Sequence, residues 1–183
     1  MSSLGADSLG ADDGRRVCRG CGAGFERTAW ALDQDLRASP ECWRANGEAA
    51  GFAAEHQAVT GAVVQLHVDT YGAQHAGDPT PAIRVAYALA GLHLALERGV
   101  DGPGVRAAHQ RMGRPQPWWP VLEPPAAPAP VTVLDVLAAG AGAGSPEGHV
   151  AAVRRWAASV WASWEPCHPD VAALVERLLP GRF

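Results

Sequence analysis

The chain has 183 residues, a net charge of -4 and no lysine, since all fifteen basic residues are arginine. This length is enough for one domain with its own apolar core. The acidic balance excludes a general attraction to nucleic acid or to an anionic membrane. The absence of lysine excludes a Schiff-base lysine, a phosphate-loop lysine and a lysine general base.

The composition also predicts the cellular setting. Ala, Gly, Pro and Arg dominate the chain, which indicates a GC-rich bacterial genome. No stretch approaches the ~20 apolar residues that a membrane-spanning helix needs. The N-terminus lacks the basic start and apolar run of a signal peptide. We therefore expect a cytoplasmic protein that binds neither membrane nor nucleic acid.

The first residues form a polar, glycine-rich tail. Ser-Leu-Gly-Ala-Asp occurs twice in tandem, at 3–7 and at 8–12. Nothing in this stretch can bury an apolar face. We predict that residues 1–14 are disordered and that residues 15–183 form a single domain.

Three of the four cysteines lie close together near the N-terminus. Cys18 and Cys21 form a Cys-x-x-Cys pair that can chelate one metal ion through a tight turn. Ser39 followed by proline and glutamate predicts a helix start, which places Cys42 in a first turn whose amide groups favour a thiolate. Three thiols supply most of a tetrahedral zinc shell. We predict that Zn²⁺ binds to Cys18, Cys21 and Cys42.

The fourth zinc ligand is open among four residues, which are His75, His67, Cys167 and His168. Our preferred assignment is His75, which would tie the cysteine knuckle to the helices. A fourth protein ligand makes a structural site, whereas a bound water makes a catalytic one, and we favour the structural site. Thiol redox chemistry is a weaker alternative, because no βαβ pattern surrounds the cysteines.

Apolar residues recur at helical spacing through most of the chain and predict an all-α helical bundle. The predicted helices begin near Ser39 and cover 54–75, 81–98, 103–112, 145–164 and a final stretch from Pro169. The second and third of these predict an antiparallel hairpin that turns near residue 78. No convincing strand pattern occurs.

Residues 114–130 are rich in proline and cannot form a helix. We predict an extended, polyproline-like strap that packs over the bundle. The alternative is a lid on which Trp118 and Trp119 cover a pocket.

One face of the second predicted helix carries unusual polar residues. His67, Tyr71 and His75 recur at helical spacing, with Asp69 beside them, and the hairpin is expected to bring His93 within one or two turns of His67. Such a set suits acid–base chemistry or a second metal site. The predicted catalytic roles are His67 or His93 as base, Tyr71 as proton donor and Asp69 as the group that orients an imidazole. The alternative is a hydrogen-bonded polar seam in the core.

Three further histidines, His56, His109 and His149, are expected near helix ends or on exposed faces and receive no role.

Six motifs resemble those of an uncharacterised bacterial family, a domain of unknown function. They are CxxCG at 18–22, PxCW at 40–43, VDxYxxQH at 68–75, LERG at 96–99, WxxLEPP at 119–125 and WAxSVW at 156–161. The resemblance covers nearly the whole chain after residue 16 and implies a metal-binding helical protein without an established activity. It also implies departures, because the family tends to carry histidine at the positions of Val64 and Ala88 and His-His in place of Cys167-His168.

Two functions follow from these expectations. In the first, zinc stabilises the fold beside a His- and Tyr-lined pocket that binds a small molecule and acts on it by acid–base chemistry. In the second, zinc is purely structural and the protein docks a protein partner without catalysis. A closed, partly apolar pocket would favour the first, and an exposed apolar patch would favour the second.

Overall fold

The computed structural model describes residues 14–29, 36–113 and 119–181. Two strands, β1 (Arg15–Val17) and β2 (Gly24–Glu26), precede the helices α1 (Pro40–Glu55), α2 (Gln57–Thr60), α3 (Val64–Gln74), α4 (Ala82–Leu96), α5 (Gly102–Met112), α6 (Val133–Ala139), α7 (Pro146–Ser163) and α8 (His168–Leu178). The predicted all-α class is confirmed. The predicted tail up to residue 13, and residues 114–118 of the strap with Trp118, lie outside the described residues.

Two predicted helix starts are confirmed by their caps. The Ser39 hydroxyl oxygen accepts a hydrogen bond from the Cys42 amide at 3.2 Å, and the Ser145 hydroxyl oxygen accepts one from the Gly148 amide at 2.9 Å. Proline follows each cap, where its missing N–H costs nothing because the first amides of a helix have no partner within it. The last helix begins at His168, one residue before the predicted start.

The single helix predicted over 54–75 is wrong, because the chain breaks between α1 and α3. The Thr60 hydroxyl donates to the carbonyl oxygens of Ala53 at 2.6 Å and His56 at 3.1 Å. These bonds satisfy carbonyls at the end of α1 without continuing it. Gly61, a poor helix former, then begins a short 3₁₀ turn that leads into α3. The apolar spacing persists across the break, which is why the sequence looks continuous.

Two small elements have no counterpart in the sequence prediction. The strands β1 and β2 form an antiparallel hairpin in which Arg16 pairs with Phe25, and each strand is only three residues long. The helix α6 is held by a capping box, in which Thr132 and Asp135 satisfy each other's backbone amides. Both elements are too short to show an apolar period.

The core lies where α3 packs against α4 and α7. Leu89, Leu92 and Trp156 are fully buried there. The Trp156 indole N–H donates to the side-chain oxygen of Gln74 at 2.8 Å, and the Gln74 amide donates to the Val131 carbonyl at 2.8 Å. One side chain thus joins α3, α7 and the segment that leads into α6.

Residues 119–130, the described part of the predicted strap, contain neither helix nor strand. Leu122 and Ala129 are buried against the bundle. The ring of Trp119 lies 5.1 Å from the ring of Tyr87 on α4, measured between centroids. This part of the chain therefore packs over the helices as predicted.

Among the described residues, no helix combines the length and the hydropathy that crossing a bilayer requires.

Candidate metal centre and adjacent cavity

Cys18, Cys21, Cys42 and His75 form one buried cluster. One ligand atom from each lies within 4.8 Å of the others. The sulfur atoms of Cys21 and Cys42 are 3.8 Å apart, and the Cys42 sulfur lies 3.3 Å from His75 Nε2. Three sulfurs and one imidazole nitrogen at these separations can bind a metal ion.

A tight turn after β1 positions the first two cysteines. The Cys18 amide donates to the Ala23 carbonyl at 2.9 Å, and the Gly22 amide donates to the Cys18 carbonyl at 2.9 Å. Gly20 lies within this turn, and a Cβ there would overlap the His75 ring and lie 2.6 Å from the Arg37 carbonyl. The turn therefore approaches α3 closely only because residue 20 has no side chain.

The third cysteine is placed by the start of α1. Cys42 lies in the first turn, as predicted, and is fully buried. The backbone amide of Ser39, the N-cap, points at the Cys18 sulfur, with nitrogen and sulfur 3.5 Å apart. A backbone amide at a helix N-terminus favours a nearby thiolate, which in this case is that of Cys18.

The histidine is oriented by its own helix. His75 ends α3, and its Nδ1–H donates to the Tyr71 carbonyl at 2.8 Å. This bond leaves the lone pair of Nε2 facing the Cys42 sulfur, which is the tautomer that a metal ligand needs. The Thr80 hydroxyl donates to the His75 carbonyl at 2.6 Å and fixes the turn that follows.

The three thiols control each other's ionisation. Hydrogen bonds from the thiols of Cys21 and Cys42 lower the pKa of Cys18 far below its usual value. The hydrogen bond to Cys18 is the main reason that the pKa of Cys21 rises to about 12 and that the pKa of Cys42 also rises. One thiolate is therefore stable in the protein alone, and a cation at the centre is what would allow all three thiols to ionise.

The other candidate ligands make different contacts. The His67 ring bonds to Asn46 Oδ1 at 2.8 Å. Cys167 faces the Glu123 carbonyl, and the His168 ring stacks on Trp161 at 3.8 Å between centroids. Among the described residues, only the Cys18, Cys21, Cys42 and His75 cluster brings three or more such ligands together.

A cavity of about 370 Å³ lies beside the metal cluster, between α1, α3, α4 and α5. Three aromatic side chains line it, which are Trp43, Tyr71 and Tyr87. Its polar lining includes Asn46, His67, Asp69, Arg84 and His109. This volume falls within the roughly 300–1,000 Å³ of small-molecule sites.

The structure brings three of the four predicted pocket residues to this cavity, namely His67, Asp69 and Tyr71. His93 does not line it, which corrects the expected position. His93 follows Gly91 by two residues, about 200° around α4, and therefore faces away from α3 and α5. Its ring lies 6.0 Å from Trp161, and its Nε2 accepts a bond from Arg98 at 3.4 Å.

Two histidines without a predicted role have buried ring nitrogens. His109 on α5 lines the cavity, and its Nε2 has no hydrogen-bond partner among the described residues. His149 on α7 is 1 % exposed, and neither ring nitrogen has a partner among the described residues. The buried spacing of Val105, Ala108 and Met112 could have indicated which face of α5 includes His109.

Burial shifts the pKa values of the polar groups that line the cavity. Desolvation raises the pKa of Asp69 well above its usual value, although the bond from Gln65 to Oδ1 lowers it. Desolvation, with a contribution from His149, lowers the pKa of His67 to about 4. Desolvation also lowers the pKa of His109. At neutral pH both imidazoles are therefore uncharged.

Comparison with known families gives one match. The model of a family of unknown function, DUF5946, matches residues 16–165. No curated protein and no solved structure matches the chain.

Proposed function

We propose that this chain, which belongs to the family of unknown function DUF5946, is a zinc-stabilised helical protein. Its cavity binds a small molecule. One relationship carries the proposal. The Tyr71 hydroxyl donates to the Cys42 sulfur at 3.6 Å, while its ring lines the cavity. Tyr71 thus contacts the cysteine and histidine cluster and also lines the cavity. A change in the position of Tyr71 would therefore affect both sites.

The donor set and its spacing support zinc. A tetrahedral Zn²⁺ with Zn–S of about 2.3 Å separates two sulfurs by about 3.8 Å. The sulfurs of Cys21 and Cys42 have that separation, 3.8 Å. With Zn–N of about 2.0 Å, a sulfur and a nitrogen lie about 3.5 Å apart, close to the 3.3 Å between Cys42 and His75. Thiolates with one imidazole in this geometry favour zinc over magnesium or calcium.

The zinc would be structural rather than catalytic. Four protein ligands complete a tetrahedral shell and leave no position for substrate. All four are buried. They come from the turn after β1, the start of α1 and the end of α3, so the ion would join segments more than fifty residues apart. Zinc would supply the binding free energy that holds the short hairpin on the bundle.

The cavity supports binding more strongly than catalysis. The predicted proton donor, Tyr71, already bonds to Cys42, and the predicted base, His67, bonds to Asn46. Asp69 and His109 line the same cavity, and their buried atoms Oδ2 and Nε2 have no partner among the described residues. Unpaired buried polar atoms are costly, and a ligand that completes their bonds recovers part of that cost. Catalysis and protein docking stay predictions from the sequence.

Elemental analysis of purified protein tests the metal. We expect one zinc per chain in the wild type, and its loss in Cys42→Ser and His75→Ala. Cys167→Ser and His168→Ala are matched controls, because those side chains lie outside the cluster, and they should keep the zinc. A wild type without metal, or full zinc in both cluster variants, would contradict the proposal.

Saturation-transfer NMR with the neutral probe 2-phenylethanol tests the cavity. We expect binding to the wild type and loss in Ala88→Phe, since Ala88 is buried and lines the cavity. Ala151→Phe, on the exposed side of α7, is the control and should bind as the wild type does. Equal binding by both variants would show that the probe binds elsewhere.

A further inference from the structure

Three helices meet around Gly91, and two polar side chains that line the cavity face this point, which we call the recess. Asp69 on α3 and His109 on α5 both face Gly91 on α4. A Cβ at residue 91 would overlap the Asp69 carboxylate and lie 3.1 Å from His109 Cε1. The carboxylate and the imidazole are therefore neighbours only because residue 91 has no side chain.

Both groups present a lone pair without a donor. The Gln65 amide donates to Asp69 Oδ1 at 3.0 Å, which leaves Oδ2 buried and without a partner among the described residues. Burial lowers the pKa of the His109 ring, and the backbone of Tyr87 partly offsets this, which is the effect of a carbonyl that accepts a hydrogen bond from the ring. Since no described residue bonds to His109 Nε2, Nδ1 is the donor to Tyr87 and Nε2 carries a lone pair. With Asp69 ionised, the recess thus has two acceptors, and the described residues supply no donors that match them.

We propose that this recess binds the ammonium group of a small organic amine, with the apolar body of the amine in the cavity. This inference rests on the proposed function and names its ligand class. An ammonium group has several N–H donors and the charge that an ionised Asp69 needs. A carboxylate or phosphate ligand would place its own acceptor oxygens against Asp69 Oδ2 and His109 Nε2, which are acceptors as well.

The cavity walls fit the remainder of such a ligand. The rings of Trp43, Tyr71 and Tyr87 offer aromatic surface to an apolar body, and their faces attract a cation. Burial raises the pKa of Asp69 well above its usual value, so the charged form of the carboxyl group is disfavoured while no cation lies beside it. A bound cation reverses that effect by pairing with the carboxylate. Arg84 is exposed at the rim, where solvent screens its charge.

A divalent metal ion fits the recess less well. Among the described residues, the only group of three or more metal-ligating side chains is the cysteine and histidine cluster. Asp69 and His109 alone would leave most positions of a metal ion to water.

Three probes with one apolar body test the inference, which are 2-phenylethylamine, 2-phenylethanol and phenylacetate. Isothermal titration of the zinc-loaded wild type should show that the amine binds at least tenfold more tightly than the alcohol. Phenylacetate should bind more weakly than either. In Asp69→Asn the preference for the amine should disappear, and in the control Asp170→Asn, an exposed acid on α8, it should persist.

Gly91→Ala is a second variant, because its methyl group takes the place of the carboxylate. It should lose the preference for the amine as well, and thermal unfolding checks that each variant folds. Equal affinity for amine and alcohol in the wild type overturns the ammonium site but leaves the proposed function in place. No binding of any probe overturns both, and retained preference in folded Asp69→Asn overturns the assignment of Asp69.

Discussion

The Tyr71 hydroxyl donates a hydrogen bond to the Cys42 sulfur across 3.6 Å. Tyr71 also stacks near His75, with ring centroids 4.1 Å apart, so it contacts two of the four cluster residues. Hydrogen bonds to a metal-bound thiolate tune and orient the ligand. Tyr71 is therefore the side chain through which the metal cluster and the cavity affect each other.

Removing the Tyr71 hydroxyl should speed the release of zinc without unfolding the protein. In Tyr71→Phe the ring still fills its place, and we expect a loss of about 0.5–1.5 kcal/mol in the free energy of unfolding. The zinc should leave faster when a chelator is added, because the Cys42 thiolate loses a donor. Absorbance of a zinc-sensitive dye after chelator addition measures the rate. A rate equal to that of the wild type would show that the bond is not made.

Gly20 should tolerate no side chain. The added methyl group of Gly20→Ala would collide with the His75 ring and the Arg37 carbonyl. We expect a loss of at least about 2 kcal/mol in the free energy of unfolding and a lower zinc content. Gly47→Ala is the matched control, because a Cβ there meets no atom of the described residues within 4 Å. In the middle of α1 it should stabilise by about 0.5–1 kcal/mol. Urea unfolding of both variants measures the difference.

The burial of His67 predicts that the free energy of unfolding depends on pH in the acidic range. Its pKa is about 4 in the folded protein, below the ordinary 6.5, mainly because of desolvation. Between these values the unfolded chain binds the extra proton, so stability falls as the pH drops from 6.5 toward 4. The full effect of one such shift is about 3 kcal/mol.

Comparison of variants separates this effect from other titrations. The carboxyl group of Asp69 acts in the opposite direction, because its raised pKa costs stability as the pH rises. His67→Gln should therefore show a shallower loss of stability between pH 6.5 and 4 than the wild type. His56→Gln, on an exposed side chain, should follow the wild type. Parallel curves for His67→Gln and the wild type would contradict the assignment.

Metal removal should affect the N-terminal hairpin before the bundle. Residues 14–29 are held by the cluster and by Glu41, which accepts a bond from the Thr28 amide at 3.1 Å and pairs with Arg16 at 3.5 Å. The Trp156 indole bonds to Gln74 and not to a residue of the cluster. After chelation we expect faster amide hydrogen exchange in 15–26 and little change in α4 and α7. Equal acceleration in all helices would show that zinc holds the whole domain.

The sequence alone determined the features that depend on neighbours along the chain. Ser39 and Ser145 cap helices because a short hydroxyl side chain before proline satisfies free amides locally. The thiol pair of Cys18 and Cys21 is recognisable because two residues between cysteines allow one turn to present both sulfurs. The all-α class follows in the same way from the apolar spacing.

Only the tertiary structure decided which distant side chains meet. His75 rather than His67 joins the cysteines because α3 ends there and its ring turns back onto Tyr71. His109 lines the cavity and His93 does not, because each helix has one face turned toward the cavity. Packing between the helices decides which face of α4 and of α5 that is, and composition does not. The recess at Gly91 needs three helices at close approach, a relationship among residues 69, 91 and 109 that no local pattern contains.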